Sequence, residues 1–148
     1  EIGWCDWSSD VCSSDLRKQL IDLALDARKK SYSPYSGYAV GAALLTKSGA
    51  VFTGANIENA VLGLTICAER TAIFQAVLAG ERAFERIVVA TRDGGSPCGS
   101  CRQVMAEFSL EMEVTMVNGD GEIVSESTVA GLLPYAFTPL NLKSAERG

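Results

Sequence analysis

Three of the five cysteines, together with one glutamate, limit what this 148-residue chain without histidine can fold into. They stand in two short motifs, Cys67-Ala68-Glu69 and Pro97-Cys98-Gly99-Ser100-Cys101. Three thiolates can hold a zinc ion and leave its fourth position open for water, and a nearby carboxylate can then move protons on and off that water. The fold must therefore bring both motifs together, and the sequence predicts a zinc enzyme.

The placement of the motifs predicts how the thiolates are stabilised. Cys98 and Cys101 are three residues apart, so on a helix both sulfurs project from one face, and Cys67 also lies at a predicted helix start. Helix N-termini favour negative charge and lower the pKa of a thiol. Arg70 and Arg102, each beside a motif, are predicted to donate to the sulfurs and offset their charge.

Two simpler interpretations of the cysteines stay open. A structural zinc site normally has four protein ligands, but the only further cysteines are Cys5 and Cys12, near the start of the chain. Alternatively, the two motifs are unconnected buried cysteines and a helical glutamate. The absence of histidine excludes Ser-His and Cys-His hydrolase chemistry.

Charge and apolar content indicate which partners the chain can take. The formal net charge is -5, yet four of the eighteen acids lie in residues 1–16, which contain no Lys or Arg. The remaining residues, 17–148, carry fourteen acids and thirteen bases and are therefore nearly neutral. Without a basic cluster they are poorly suited to bind a phosphate backbone, so we expect a small-molecule substrate and no nucleic acid. No apolar run is long enough to span a bilayer, so we expect no membrane partner. Clustered cysteines without an export signal predict a cytoplasmic location.

Residues 1–16, EIGWCDWSSDVCSSDL, have no helical or strand period. The part from Asp6 to Leu16 resembles a translated sequencing adapter, which predicts that residues 1–16 are a non-native tail. A natural disordered tail is the alternative. If residues 1–16 are non-native, Cys5 and Cys12 carry no function, and residues 17–148 form a single domain. Deleting residues 1–16 is expected to leave zinc content and activity intact.

Apolar periodicity and turn residues predict one α/β domain, a sheet of about five strands with helices against its faces. We predict helices at 16–31, 67–78, 98–108 and 128–133, strands at 38–45, 51–55, 86–91, 113–117 and 122–124, and an irregular tail at 134–142.

Five ordered blocks make residues 28–142 resemble the small homotetrameric zinc-dependent cytidine deaminases. The blocks are YSPYSGYAVGAALL (32–45), GANIENA (54–60), TICAERTAI (65–73), SPCGSCRQVMAEF (96–108) and LLPYAFTPL (132–140). The resemblance implies a three-layer α/β/α sandwich around a five-stranded mixed sheet. It also implies one zinc per subunit, a homotetramer with shared active sites, and hydrolysis of cytidine and deoxycytidine to uridine and deoxyuridine with release of ammonia, in pyrimidine salvage.

The resemblance also implies the roles of the motif residues. Cys67, Cys98 and Cys101 match the zinc ligands of the family. Glu69 matches its proton shuttle, which serves a zinc-bound hydroxide that attacks C4 of the base. The backbone near Ala68 matches a segment that helps to read the base.

Further matches concern the substrate. Asn56 and Glu58 match the pair that hydrogen-bonds the ribose hydroxyls. Tyr38 falls where the family usually has a Phe against the substrate, and Phe137 matches an aromatic that packs on the base from a neighbouring subunit. Packing in the core is the alternative for both aromatics. Asn56 has an alternative role in stabilising its own loop.

One difference from the family pattern is expected to affect how the chain binds its nucleoside. The family commonly has a small residue and then an aromatic where this chain has Val61 and Leu62. The lost aromatic hydroxyl is expected to change affinity at the ribose end by about 1 kcal/mol. The other functions weighed are a deaminase of the blasticidin S type, a nucleic-acid editing deaminase and a zinc-stabilised interaction module. The nearly neutral charge of residues 17–148 argues against the nucleic-acid editing deaminase.

Overall fold

The computed structural model describes the backbone of residues 10–145 and the side chains of residues 14–143. Its helices and strands are α1 Asp10–Arg28, β1 Gly41–Thr46, β2 Val51–Ala55, α2 Ala68–Leu78, β3 Phe84–Ala90, α3 Gly99–Phe108, β4 Glu113–Val117, β5 Ile123–Thr128, α4 Val129–Leu132 and α5 Pro139–Ala145. A 3-10 turn, Leu62–Leu64, lies in the connection between β2 and α2.

The strands form one mixed sheet in the order β2-β1-β3-β4-β5. Strands β3 and β4 are parallel, and the other neighbours are antiparallel. The parallel pair needs a crossover, and α3 supplies it. The loop that leads from β3 into α3 contains the second cysteine motif, so this crossover places that motif at one end of the sheet.

Successive residues of β1 face opposite sides of the sheet, and all six are buried because helices cover both faces. One core lies between the sheet and α2 and α3 and includes Ala42, Leu44, Ala72, Ile73 and Met105. The other lies under α1 and includes Leu16, Leu20, Ala24, Ala43 and Leu45. The predicted α/β/α layers around a five-stranded mixed sheet are confirmed. None of the helices among the described residues combines the length and the apolar character that a membrane span requires.

Two glycines allow the helices to pack closely on the sheet. A Cβ at Gly41 would clash with the backbone of Ala24 and Arg28 in α1. A Cβ at Gly54 would clash with the backbone of Ala68 and with α2 at its next turn. The first turn of α2, which follows Cys67, is therefore held directly against β2.

The predicted irregular tail at 134–142 is wrong in its last part, where α5 begins at Pro139. Proline suits the first position of a helix, because its missing N–H would be unpaired there. Asn141 Oδ1 accepts a hydrogen bond from the Thr138 backbone N at 2.8 Å, and the Asn141 backbone N donates to Thr138 O at 2.9 Å. This reciprocal contact resembles a capping box, and the Thr-Pro-x-Asn sequence was the signal for it.

The first helix is longer at its start than predicted, since α1 begins at Asp10 and not at residue 16. Residues 1–9, including Cys5, lie outside the described part, as does the side chain of Cys12. That residues 1–16 are non-native stays a prediction.

Deleting residues 1–16 is expected to keep zinc content and activity but to lower the free energy of unfolding. Leu16 is only 4% exposed and belongs to the core under α1. Loss of a buried leucine costs about 1.5–3 kcal/mol, so urea unfolding should show a lower midpoint. Deletion of residues 1–9 alone is the control and should leave the midpoint unchanged. Loss of zinc from the longer deletion would contradict the assignment of the metal centre to residues 67–101.

Candidate metal centre and active site

Two helix starts bring the three cysteines of the motifs together. Cys67 is the N-cap of α2 and Cys98 is the N-cap of α3, both in extended backbone conformation. Cys101 lies in the first turn of α3 and is fully buried. The Cys67 and Cys98 sulfurs are 3.8 Å apart, and those of Cys98 and Cys101 are 3.4 Å apart. The prediction that the fold brings both motifs together is confirmed.

The three sulfurs fit a zinc ion. All lie within 4.8 Å of one another, and they form the metal-compatible cluster found among the described residues. Tetrahedral zinc with Zn–S bonds of about 2.3 Å places its sulfur ligands about 3.8 Å apart. The donor set is soft and contains three protein ligands, which leaves one tetrahedral position for a water or a substrate.

Hydrogen bonds to the sulfurs favour negative charge on them, which suits them to bind a cation. Arg70 Nη2 donates to Cys67 Sγ at 3.3 Å, as the sequence predicted for a charge-offsetting arginine. The hydrogen bond from Cys101, together with Arg70, lowers the pKa of Cys67 to about 5. The same bond to Cys67, together with burial, raises the pKa of Cys101. The contact with Arg70 and the lowered pKa thus favour the thiolate form of Cys67, which is the form that binds a metal.

Glu69 is buried beside the sulfurs, with 3% of its surface exposed. It follows Cys67 by two residues, in the first turn of α2. Burial raises the pKa of its carboxyl, and the negative charge of Cys67 acts in the same direction, while a hydrogen bond with Cys101 opposes them. A buried carboxyl with a raised pKa is suited to accepting and returning a proton.

Arg102 contacts the backbone around the second motif. Its Nε donates to Pro97 O at 2.8 Å, its Nη1 to Leu132 O at 2.7 Å and its Nη2 to the Ser96 hydroxyl at 2.8 Å. The sequence suggested donation to the sulfurs, and none of these three bonds reaches one. Arg102 therefore fixes the turn that enters Cys98 and joins it to the end of α4.

Asn56 holds together the loops at the end of β2. Its Oδ1 accepts from Val40 N at 2.9 Å and from the Ser31 hydroxyl, and its Nδ2 donates to Tyr38 O at 2.8 Å. Thr71 connects the same strand end to the metal centre, because its hydroxyl contacts the carbonyl oxygens of Ala55 and Cys67. The loop-stabilising role weighed for Asn56 is thus present in the chain.

Glu58 contacts the preceding loop through both carboxylate oxygens. Its Oε1 accepts from Tyr35 N at 2.9 Å and from Ser36 N at 3.2 Å, and its Oε2 accepts from the Ser36 hydroxyl. The bond from the Ser36 hydroxyl, followed by those from the backbone, lowers the pKa of this carboxyl. Glu58 is therefore ionised at neutral pH and oriented as an acceptor.

The remaining predicted positions lie around this site or on the surface. Ala68 is fully buried as the first residue of α2. Tyr38 directs its hydroxyl to Asp93. Phe137 is 57% exposed, so it is not core packing within one chain. Val61 and Leu62 are also exposed, at the start of the 3-10 turn.

Sequence reasoning missed Gln103, whose Nε2 donates to Phe137 O at 2.9 Å. Together with Arg102, which donates to Leu132 O, it anchors the end of α4 and the segment after it to the N-terminal half of α3. The adjacent Arg-Gln pair behind the motif was the available signal, but only the tertiary fold shows where it reaches.

Comparison with known families gives a match over most of the described chain. The family described as "Cytidine and deoxycytidylate deaminase zinc-binding region" matches residues 14–117. A cytidine deaminase of Sporosarcina psychrophila is 47% identical over 133 residues, with 86% of this chain and 96% of that protein covered. One of Halalkalibacterium halodurans is 52% identical over 125 residues, with 82% and 94% covered.

Solved structures of cytidine deaminases also resemble this chain. The crystal structure of a cytidine deaminase from Burkholderia pseudomallei superposes with a TM-score of 0.77 at 48% sequence identity. The match covers 80% of this chain and 97% of that one. The zinc-binding region of the family spans both cysteine motifs described above.

Proposed function

Because the chain belongs to the cytidine and deoxycytidylate deaminase zinc-binding family, we propose that it hydrolyses cytidine and deoxycytidine to uridine and deoxyuridine with release of ammonia. Zinc is its cofactor. The observation that carries the proposal is a cluster of three sulfurs beside the buried carboxyl of Glu69. Cys67, Cys98 and Cys101 would hold the zinc.

The proposed chemistry divides between the metal and Glu69. Zinc, when bound, acts as a Lewis acid that lowers the pKa of a water at its open position. Glu69 takes a proton from the attacking water and delivers it to N3 of the pyrimidine, while the water oxygen forms a bond to C4. Glu69 then takes the remaining proton from the oxygen now bonded to C4 and transfers it to the exocyclic amino group. The C4–N bond breaks with its electron pair going to nitrogen, so ammonia leaves and C4 becomes the carbonyl of uridine. Water and cytidine give uridine and ammonia, so atoms and protons balance.

The residues around Glu69 would orient the nucleoside. We assign the ribose hydroxyls to Asn56 and Glu58, the base to the backbone near Ala68, and an aromatic contact to Tyr38. Support comes from the bonds that hold Asn56 beside the end of β2, and from the ionised, oriented carboxylate of Glu58. Arg70 offsets the thiolate charge through its bond to Cys67.

Glu58→Gln is expected to raise KM for cytidine about tenfold while kcat changes less and zinc content stays the same. A neutral amide is a weaker acceptor for a ribose hydroxyl than a carboxylate. Steady-state kinetics on cytidine and on free cytosine measure the effect, because cytosine has no ribose. An equal loss on both substrates would show that Glu58 acts on the fold of the loop and not on the sugar. Glu122→Gln, at an exposed residue, is the control.

The exposed Val61-Leu62 pair favours one second candidate, a deaminase of another aminopyrimidine nucleoside such as blasticidin S. Ultraviolet absorbance of the zinc-loaded protein with cytidine, deoxycytidine and blasticidin S, each separately, distinguishes the two. Faster turnover of cytidine and deoxycytidine supports the first proposal, and turnover of blasticidin S alone supports the second. Full zinc occupancy with no turnover of any of the three points to an altered specificity around Leu62. A zinc-stabilised interaction module would instead show zinc with four protein ligands and no open water position in a metal-edge spectrum.

We further propose a homotetramer with shared active sites, in which Phe137 contacts the base in a neighbouring subunit. Its exposure and its anchoring by Gln103 support this role. A groove of about 390 Å³ with mainly apolar walls, which include Leu64, Phe74 and Leu78, is a further surface suited to burial between subunits. A cytoplasmic role in pyrimidine salvage is consistent with a centre that needs reduced thiols.

A further inference from the structure

Tyr38 and Asp93 form a hydrogen-bonded pair between two loops of the site. The Tyr38 hydroxyl donates to Asp93 Oδ1 at 2.6 Å, and the Arg92 guanidinium lies 5.1 Å from the centre of the Tyr38 ring. Burial and the bond to Asp93 raise the pKa of Tyr38, and the bond from Tyr38 lowers the pKa of Asp93. Near neutral pH the pair is therefore a phenol that donates to a carboxylate.

The backbone of Tyr38 belongs to the loop that contacts Asn56 and Glu58. Tyr38 O accepts from Asn56 Nδ2 at 2.8 Å, and Tyr38 N donates to the Ser36 hydroxyl at 3.0 Å. That hydroxyl in turn donates to Glu58. A shift of Tyr38 would thus move both residues assigned to the ribose.

Asp93 belongs to the segment that enters the second cysteine motif. The Thr91 hydroxyl donates to Asp93 Oδ1 at 3.2 Å and accepts from Gly95 N at 2.8 Å. A Cβ at Gly95 would lie 2.7 Å from the Tyr38 hydroxyl oxygen, so a side chain there would separate the pair. Three residues after Gly95 the chain reaches Cys98.

We propose that Tyr38 and Asp93 are positioning residues that hold the nucleoside loop in register with the Cys98 turn of the metal centre. The proposal rests on the proposed function for its kinetic effect, since neither residue is assigned a part in the chemical step. Without the Tyr38 hydroxyl, Asp93 Oδ1 would keep only the hydrogen bond from the Thr91 hydroxyl, and the two loops would lose their direct side-chain contact.

The test compares Tyr38→Phe, Asp93→Ala, Asp93→Asn and the double variant Tyr38→Phe/Asp93→Ala, all loaded with zinc. We expect Tyr38→Phe and Asp93→Ala to raise KM for cytidine about fivefold with a smaller change in kcat, the loss expected for one hydrogen bond. We expect the double variant to match Asp93→Ala, because both single changes break the same bond. Asp93→Asn keeps an acceptor and should restore most of the affinity.

A second readout does not depend on activity. The rate of zinc transfer to the chromogenic chelator 4-(2-pyridylazo)resorcinol should rise in Tyr38→Phe and Asp93→Ala, because the Cys98 turn loses a support. Tyr32→Phe, an equal change in the same loop, is the control, since the exposed Tyr32 side chain makes no hydrogen bond to another described residue. Unchanged KM and zinc release in Tyr38→Phe, or additive effects in the double variant, would overturn the proposal. If the unaltered protein fails to deaminate cytidine, the proposed function fails, while zinc release still tests the pair.

Discussion

Glu69→Gln is expected to keep its zinc and to lower kcat on cytidine by about a thousandfold. Glutamine has nearly the same shape as glutamate but cannot take a proton from water and return it to N3, and proton transfer by a positioned side chain contributes about 10²–10⁴-fold. The residue is buried at 3% exposure, and its burial raises the pKa of the carboxyl, so the amide fits the same site without a charge to solvate.

The measurement is single-turnover and steady-state absorbance at saturating cytidine, with zinc determined on the same sample. Glu107→Gln, at an exposed position of α3, makes the same chemical change outside the site and should retain full turnover. Turnover of Glu69→Gln close to that of the unaltered protein would show that another group moves the protons. Loss of zinc from Glu69→Gln would instead place its carboxylate among the metal ligands.

Cys101→Ala is expected to lose zinc almost completely and to lower the stability of the fold. Two sulfurs hold zinc far less tightly than three, and Cys101 is the fully buried member of the cluster. A ligand present at a thousand times its dissociation constant stabilises a folded protein by about 4 kcal/mol, and this contribution disappears with the site.

Zinc stoichiometry and the thermal unfolding midpoint, each with and without chelator, measure the effect. The chelator should lower the midpoint of the unaltered protein and leave that of Cys101→Ala unchanged. Cys98→Ser tests the exposed ligand without a change in buried volume and should also lose zinc, whereas Cys12→Ser should retain it. One zinc per chain in Cys101→Ala would exclude the three-sulfur centre.

The elements of the site that could be predicted are those fixed by local sequence. Pro97 ahead of Cys98, and the spacing of Cys98 and Cys101, specify a helix start with two sulfurs on one face. The structure has α3 beginning at Gly99 with Cys98 as its N-cap. The apolar pattern of 86–91 similarly anticipated β3 within two residues of its observed start. Such features depend on residues within one turn or one strand.

The features that were missed depend on contacts across the fold. Arg102 reaches Leu132, thirty residues away, and Tyr38 reaches Asp93, fifty-five residues away. No periodicity in one segment specifies such a pair, because the loops meet only after the sheet has formed. The start of α5 has a local cause, since Thr138 and Asn141 bond to each other across Pro139 and so turn a residue that usually interrupts structure into a helix start.

Product analysis tests whether the three-sulfur zinc centre and Glu69 together deaminate cytidine. The zinc-loaded protein is incubated with cytidine, and uridine and ammonia are quantified in the same reaction, with a chelator-treated sample beside it. Uridine and ammonia are expected in a one-to-one ratio, with no product after zinc removal and recovery when zinc is restored. Cytidine left unchanged by fully zinc-loaded protein, or product formation that persists without zinc, would show that this centre does not catalyse the reaction.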